Sequence, residues 1–160
     1  MDEAAAVPVS ACTVRAADRG DRDAWVALRA ALWPDAEPRA HAVELEALLR
    51  AADRAAAFLA FAADGTALGF AEASVRVDYV NGTDGPPVGF LEGLYVAPAA
   101  RRHGVGRALV AAVERWTHER GCRELASDAR LDNAAGHAAH RAYGFEETER
   151  VVYFRKRLGA

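Results

Sequence analysis

Lysine is almost absent from this chain of 160 residues, and Lys156 is the only one. There is no basic tract, and the formal net charge is −3. Nucleic-acid binding draws on clustered Lys and Arg against phosphates, so nucleic acid is not an expected partner. No apolar run approaches the roughly 18–20 residues needed to cross a bilayer, so no membrane partner is expected either. Cysteine is scarce: Cys12 and Cys122 match no metal or redox spacing. They read as two reduced thiols of a cytoplasmic protein, and no metal is expected. The first residues include Asp2 and Glu3 and no apolar signal core, so no secretion signal is expected.

What is present is ordinary for a soluble globular protein: 52% hydrophobic and 27% charged residues. The length suits one domain with a sizeable core. Residues 1–12 are Ala-rich without a period and read as a loose leader, leaving 13–160 as a single domain. Thr13 to Ala17 reads as a first strand. Asp21 is placed to cap a helix with Ala24, Trp25, Leu28, Ala31 and Leu32 on one stripe. Trp33-Pro34 ends it, and a second helix runs from Pro38 to Ala52 with Leu45, Leu48 and Leu49 facing inward. Ala56 to Ala62, Ala67 to Val80 and Val88 to Ala97 read as an antiparallel meander, with Asp64-Gly65 as a hairpin turn. A long helix, a strand at Arg123 to Asp128, a helix capped by Asn133 and closing strands at Glu147 to Lys156 follow. This order describes an α+β domain with a mixed, twisted sheet and one β-α-β crossover.

The chain is organised around Phe90 to Arg120. An apolar run stops at Pro98, which has no amide hydrogen to donate. Val105, Ala108, Leu109, Ala112, Val113 and Trp116 then form one helical stripe that stops at Gly121. Between them lie Gly104, Gly106, Arg101, Arg102, His103 and Arg107. A helix N-terminus has free amides and a partial positive charge, so it binds anions. The two glycines let a phosphate approach the backbone, and the arginines add fork-shaped donors. The ligand predicted is a diphosphate-bearing small molecule; the plainer alternative is a turn with solvated arginines. Gly-Lys-Ser/Thr is missing, so it is not a Walker loop, and G-x-G-x-x-G is incomplete.

Arg101-x-x-Gly104-x-Gly106 after a strand ending in Val-x-Pro resembles the acetyl-CoA loop of the GNAT N-acetyltransferases. Further blocks resemble one branch of that family, the aminoglycoside 6'-N-acetyltransferases: Leu32-Trp33-Pro34, Asp78-Tyr79-Val80-Asn81-Gly82, Phe90-Leu91-Glu92-Gly93, Ala126-Ser127-Asp128 and Gly144 to Val151. The resemblance spans about Thr13 to Leu158 and implies the GNAT fold, a strongly twisted mixed sheet flanked by helices with two central parallel strands splayed apart. It implies that Leu94, Tyr95 and Val96 contact the pantetheine arm, that Arg101, Arg102, His103, Gly104, Val105, Gly106 and Arg107 hold the pyrophosphate, and that Asn133 contacts the coenzyme; Asn133 is equally a plain helix cap. It implies acetyl-CoA as co-substrate, no metal, and a homodimer.

On the acceptor side the resemblance places carboxylates around a polycationic sugar at Glu92, Asp128 and Glu149. Such groups pair with ammonium and can take the proton an amine loses before attack. Glu92 is interior to an apolar strand, where a charge needs a reason. Asp128 otherwise reads as a turn residue and Glu149 as one of a solvated run. Trp33 and Tyr79 resemble the aromatic residues flanking the sugar rings; Trp33 otherwise reads as core. Where relatives place a thiolate-protonating tyrosine, this chain has His140, with Tyr143 off that register; His140 also reads as a packing residue. A histidine contact that some relatives carry is Ala36 here. The resulting expectation is direct acetyl transfer from acetyl-CoA to the 6'-amine of an aminoglycoside, a resistance activity, with no covalent acetyl-enzyme. Two alternatives stay open: a GNAT acting on a polyamine or peptide N-terminus, and a non-catalytic module that binds acetyl-CoA.

Overall fold

The computed structural model describes residues 12–159, so the expected leader up to Ala11 lies outside the described residues. Five strands run in the order β1-β2-β3-β4-β5: Thr13–Ala16, Ala55–Phe61, Ala67–Arg76, Val88–Val96 and Leu125–Ala126. The first four are antiparallel neighbours, and β5 joins β4 in parallel. Helices α1 (Arg22–Leu32) and α2 (Pro38–Arg50) cover one face, α3 (Val105–Glu119) covers the other, and α4 (Ala134–Ala142) follows β5. The expected meander and crossover are both present, in a sheet that does not close.

Covering both faces explains why β2 reads as the near-continuous apolar run Ala-Ala-Ala-Phe-Leu-Ala-Phe. Leu59 and Phe70 pack with Trp25, Leu28 and Leu45 on the α1–α2 side. Ala60, Ala71, Ala73 and Leu91 pack with Leu109, Val113 and Trp116 of α3 on the other. The predicted α3 stripe is thus the buried one. The α1–α2 side also holds charge: Arg29, Glu72 and His41 are buried there. Arg29 meets both Glu72 oxygens, and Trp25 Nε1 donates to Glu72 at 2.8 Å. No described helix is long and apolar enough to cross a membrane.

Three expectations are corrected. Asp21 precedes α1 without capping it by side chain. Asp18 instead caps a short 3-10 turn, Arg19–Asp21, and Asp21 is held by Arg15 through bonds of 2.8 Å. The parallel strand expected over Arg123 to Asp128 bonds only as Leu125–Ala126. The closing strands expected over Glu147 to Lys156 do not form, and that arm is exposed. Its residues favour strands, but a strand needs a neighbour for its amides and carbonyls, and none of the described strands lies beside it. Val75 is the last interior residue of β3, which stops at Arg76, so Tyr79 lies in a loop beyond the meander.

Candidate functional site

At the end of β4 a short 3-10 turn, Pro98–Ala100, leads into the basic turn before α3. Gly104 precedes the helix with φ +82°, a left-handed conformation suited to glycine, and no side chain caps the helix. The first-turn amides of Val105, Gly106 and Arg107 therefore have no partner within the helix. Arg102 also has a left-handed φ of 63°. An anion fits this uncapped end. Two details differ from the simple expectation. The Arg101 side chain turns back, its Nε donating to the Val96 carbonyl at 2.9 Å with Cζ 5.6 Å over Tyr95. Arg107 donates to the Ala142 carbonyl at 2.8 Å and so ties α3 to α4. At Gly106 the room left by the missing Cβ is taken by the Tyr143 hydroxyl, so that glycine serves side-chain packing as well as backbone approach. His103 is half-buried in the turn.

The parallel strands part early. β4 and β5 pair only at Gly89 with Leu125 and Phe90 with Ala126. From Leu91 to Val96, β4 keeps β3 on one side, with no described strand on the other. Six residues of open strand edge, roughly 20 Å at about 3.3 Å per residue, run from the parting point to the anion turn. Leu94 and Val96 pack toward α3, and Tyr95 toward α1 and α2. The backbone between them is left to bind an extended arm as an added strand would.

A bulge lies at the head of this edge. Glu72 pairs with Gly93 and Ala73 with Leu91, so Glu92 is the extra, unpaired residue. The bulge turns Glu92 outward. It lies inside the apolar strand, as expected, and is exposed there because the chain steps it out of the ladder. Arg76 holds it at 2.9 and 3.0 Å, and the Ser74 hydroxyl donates to it as well. Trp33 lies beside the bulge: a Cβ on Gly93 would stand 2.6 Å from its ring. Trp33 also meets Phe70 edge-on at 5.9 Å and stacks on His41 at 6.5 Å. It packs against the α1–α2 core and also borders the bulge that carries Glu92.

Ser127 fixes the parting point, with Oγ 3.3 Å from the Leu91 carbonyl oxygen. Glu92 follows Leu91 and Asp128 follows Ser127, so the two carboxylates flank this junction; Asp128 is exposed. His140, on α4, reaches the same place, its Nε2 2.9 Å from Ser127 Oγ. Asn133 caps α4, its Oδ1 accepting from the Gly136 amide at 2.9 Å. Glu92 and Asp128 are thus each next in sequence to the junction that His140 reaches, and Trp33 lies against Gly93, the neighbour of Glu92. Tyr79 and Glu149 sit apart, both exposed, toward the outer end of the meander. There Thr148 fills the space a Cβ on Gly82 would need. Among the described residues no group of His, Cys, Asp or Glu is arranged to hold a metal.

Sequence reasoning assigned no role to Arg76, Ser127 or the contact between Tyr143 and Gly106. Arg76 and Glu92 carry a weak signal, since opposite charges on adjacent antiparallel strands often pair. Ser127 falls in the Ala126-Ser127-Asp128 block, but nothing in the sequence reports its contact with Leu91, which depends on where two strands separate.

A family model described as the acetyltransferase (GNAT) family matches residues 22–145. An aminoglycoside N(6')-acetyltransferase type 1 from Stenotrophomonas maltophilia is 58% identical over 149 residues, covering 93% of this chain and 95% of that protein. Its counterpart from Salmonella typhimurium is 50% identical over 144 residues, covering 90% and 98%. Among solved structures, AAC(6')-Iy in complex with the bisubstrate analogue CoA-S-monomethyl-acetylneamine aligns with a TM-score of 0.87 at 48% identity, covering 92% of this chain and 99% of that one. The 6'-N-acetyltransferase AAC(6')-Ih from Acinetobacter baumannii aligns with a TM-score of 0.88 at 44% identity, again over 92% and 99%.

Proposed function

The chain belongs to the GNAT family of acetyltransferases, and from that premise we propose that it is an aminoglycoside 6'-N-acetyltransferase. It moves the acetyl group of acetyl-CoA directly to the 6'-amine of an aminoglycoside, a reaction that confers resistance. The observation that carries this reading is likeness over nearly the whole chain to enzymes of that name. The geometry agrees: an uncapped helix end suits a diphosphate, an open strand edge suits its arm, and carboxylates flank the head of that edge.

Each part then has a task, within one domain over 13–160. The turn from Arg101 to Arg107 holds the pyrophosphate, with Asn133 beside the coenzyme. Leu94, Tyr95 and Val96 bind the arm, and a β4 amide steadies the thioester oxygen. Glu92 and Asp128 bind the ammonium groups of the sugar beside Trp33, and Tyr79 and Glu149, at the outer end of the meander, reach the sugar held by the partner subunit. Glu92 or Asp128, directly or through water, takes the proton that frees the amine. Holding both reactants in register supplies much of the rate. The enzyme acts in the cytoplasm, in keeping with its unpaired Cys12 and Cys122. It works as a homodimer; the exposed arm bearing Glu149, Tyr153 and Phe154 supports this, since a second copy would cover it.

Acetyl-CoA turnover with kanamycin and tobramycin, beside spermidine and peptide amines, tests the reading. Turnover of the antibiotics is expected. Turnover confined to spermidine or peptides would move the enzyme to another amine, and coenzyme binding without any turnover would leave a regulatory module.

A further inference from the structure

An imidazole, a hydroxyl and a carbonyl meet where β4 and β5 part. His140 Nδ1 lies 2.6 Å from the Gly136 carbonyl oxygen, one turn earlier in α4. A carbonyl only accepts, so Nδ1 carries a hydrogen. The nitrogen free to gain or lose a proton is Nε2, 2.9 Å from Ser127 Oγ. That hydroxyl also lies 3.3 Å from the Leu91 carbonyl oxygen. With a neutral ring, Ser127 donates to Nε2. With a cationic ring, Nε2 donates to Ser127, whose own hydrogen turns to Leu91 or to a group in the gap. Both patterns are complete, and they differ by one proton with no heavy atom moved. Phe145, edge-on at 5.3 Å, steadies the ring.

We propose that Ser127 and His140 form a proton relay to the sulfur of coenzyme A, resting on the acetyl-transfer reading above. Ser127 touches the sulfur and His140 supplies the proton. The amine lone pair forms the C–N bond, and the C–S bond breaks with its electron pair left on sulfur. Sulfur takes the Ser127 Oγ hydrogen, and Oγ takes the Nε2 hydrogen. The ring ends neutral, with Nδ1–H still on Gly136. The acceptor enters as an ammonium and sheds two protons in becoming an amide. Through solvent, one restores the ring and the other is released, so the balance is one proton to sulfur and one to water.

Geometry favours this pair over the nearby phenol. The Tyr143 hydroxyl is packed over Gly106 at the start of α3. Ser127 stands at the junction itself, one residue beyond the last strand pair. A hydroxyl there extends the reach of an imidazole anchored on α4.

Ser127→Ala, Ser127→Thr, His140→Asn and the double variant Ser127→Ala/His140→Asn are compared with wild type in single turnover of kanamycin. Coenzyme A affinity and nitrogen NMR of the histidine rings are measured on the same proteins without acceptor. Ser127→Ala and His140→Asn are each expected to slow transfer about 100-fold while the Kd for coenzyme A moves less than about twofold. The double variant is expected to be no slower than either single one, and Ser127→Thr to recover most of the rate. The wild-type ring is expected with its hydrogen on Nδ1, and its Nε2 signal to move in Ser127→Ala. Transfer by Ser127→Ala at the wild-type rate, a loss matched by lost coenzyme affinity, or a neutral ring whose one hydrogen sits on Nε2 and not on Nδ1 would each overturn the relay. A wild type inert toward kanamycin would instead sink the acetyl-transfer reading, and the relay with it; an active wild type with indifferent variants sinks the relay alone.

Discussion

Arg76 lies across Glu92, with one guanidinium nitrogen 2.9 and 3.0 Å from the two carboxylate oxygens and Cζ 3.4 Å over the Phe90 ring. The carboxylate at the head of the open strand edge is therefore already answered by a cation of the same chain. An incoming ammonium has to displace that guanidinium or share the carboxylate with it. Arg76→Met keeps an apolar stem on Phe90 and removes the charge. Two unit charges about 4 Å apart in water interact by about 1 kcal/mol, so KM for kanamycin is expected to fall about fivefold. KM for acetyl-CoA is expected to stay put, and Glu92→Gln to raise the kanamycin KM. Steady-state kinetics on both substrates decide this; an unchanged kanamycin KM in Arg76→Met would make the pair a strand-to-strand contact and nothing more.

A second ion pair lies in the core. Arg29 and Glu72 are 3% and 4% exposed. Burial raises the Glu72 carboxyl above its ordinary value, and the Arg29 charge opposes that rise. Removing one partner strands the other in a dry site. Arg29→Met is expected to cost about 3–5 kcal/mol, and Arg29→Met with Glu72→Met far less. Urea unfolding of the three proteins checks it. Equal losses in the single and double variants would show that packing, not charge, was removed.

The helices and the meander are legible because each has a local signature. Leu109, Val113 and Trp116 keep helical spacing, and Asn133 caps at the residue expected. Strand ends are less legible. Pairing of β5 with β4 stops after Phe90, two residues before the bulge at Glu92, and no propensity of residues 123–128 reports that. The closing arm reads as strand from Val151, Val152, Tyr153 and Phe154, yet propensity supplies no partner. The site divides the same way. The anion turn and the carboxylates are visible as residue types at known spacings. Arg76 and Ser127 act through Glu92 and Leu91, 16 and 36 residues away, so only the folded sheet displays them.

Trp33 and Gly93 are matched in size. A Cβ on Gly93 would stand 2.6 and 2.8 Å from the Trp33 ring, which Arg29 covers at 4.8 Å and His41 stacks upon. The ring has little room to retreat. Gly93→Ala is expected to cost about 1–3 kcal/mol of stability and to raise KM for the aminoglycoside. Trp33→Phe in the same background is expected to restore stability without restoring affinity. Thermal unfolding and kinetics of the two variants check this, and a fully stable Gly93→Ala would show that the ring can move.

Asp21 sets a pH dependence. Its carboxylate accepts two bonds from Arg15 at 2.8 Å and one from the Asp18 amide at 2.9 Å. The Arg15 bonds first, and then the Asp18 amide, hold its carboxyl below the ordinary aspartate value despite burial. A lowered folded pKa means the ionised form favours the native state. That stabilisation is complete above the unfolded value near pH 4 and is lost as pH falls through the lowered one. Asp21→Asn is expected to cost about 1 kcal/mol at neutral pH, discounted because Arg15 is partly exposed. The difference is expected to close as the pH falls through that lowered value. Denaturant midpoints across that range check it, and a constant gap would locate the loss elsewhere.

The arm beyond α4 carries the last prediction. Val152, Tyr153 and Phe154 are 74%, 82% and 92% exposed, and Leu158 is 85% exposed. Covering a large apolar side chain is worth about 1.5–3 kcal/mol, so a run of them in water favours association. A homodimer is expected to bury this run. Tyr153→Asp with Phe154→Asp would then place two charges in the covered surface and shift the protein to monomer in sedimentation. Glu149 lies on the same arm, so the monomer is expected to lose affinity for the aminoglycoside while keeping its affinity for coenzyme A, whose proposed site is on β4 and α3. A wild type that sediments as a monomer removes the dimer. A dimer that survives both aspartates shows that the arm is not its interface, and Glu149 must then act, if at all, from within its own chain.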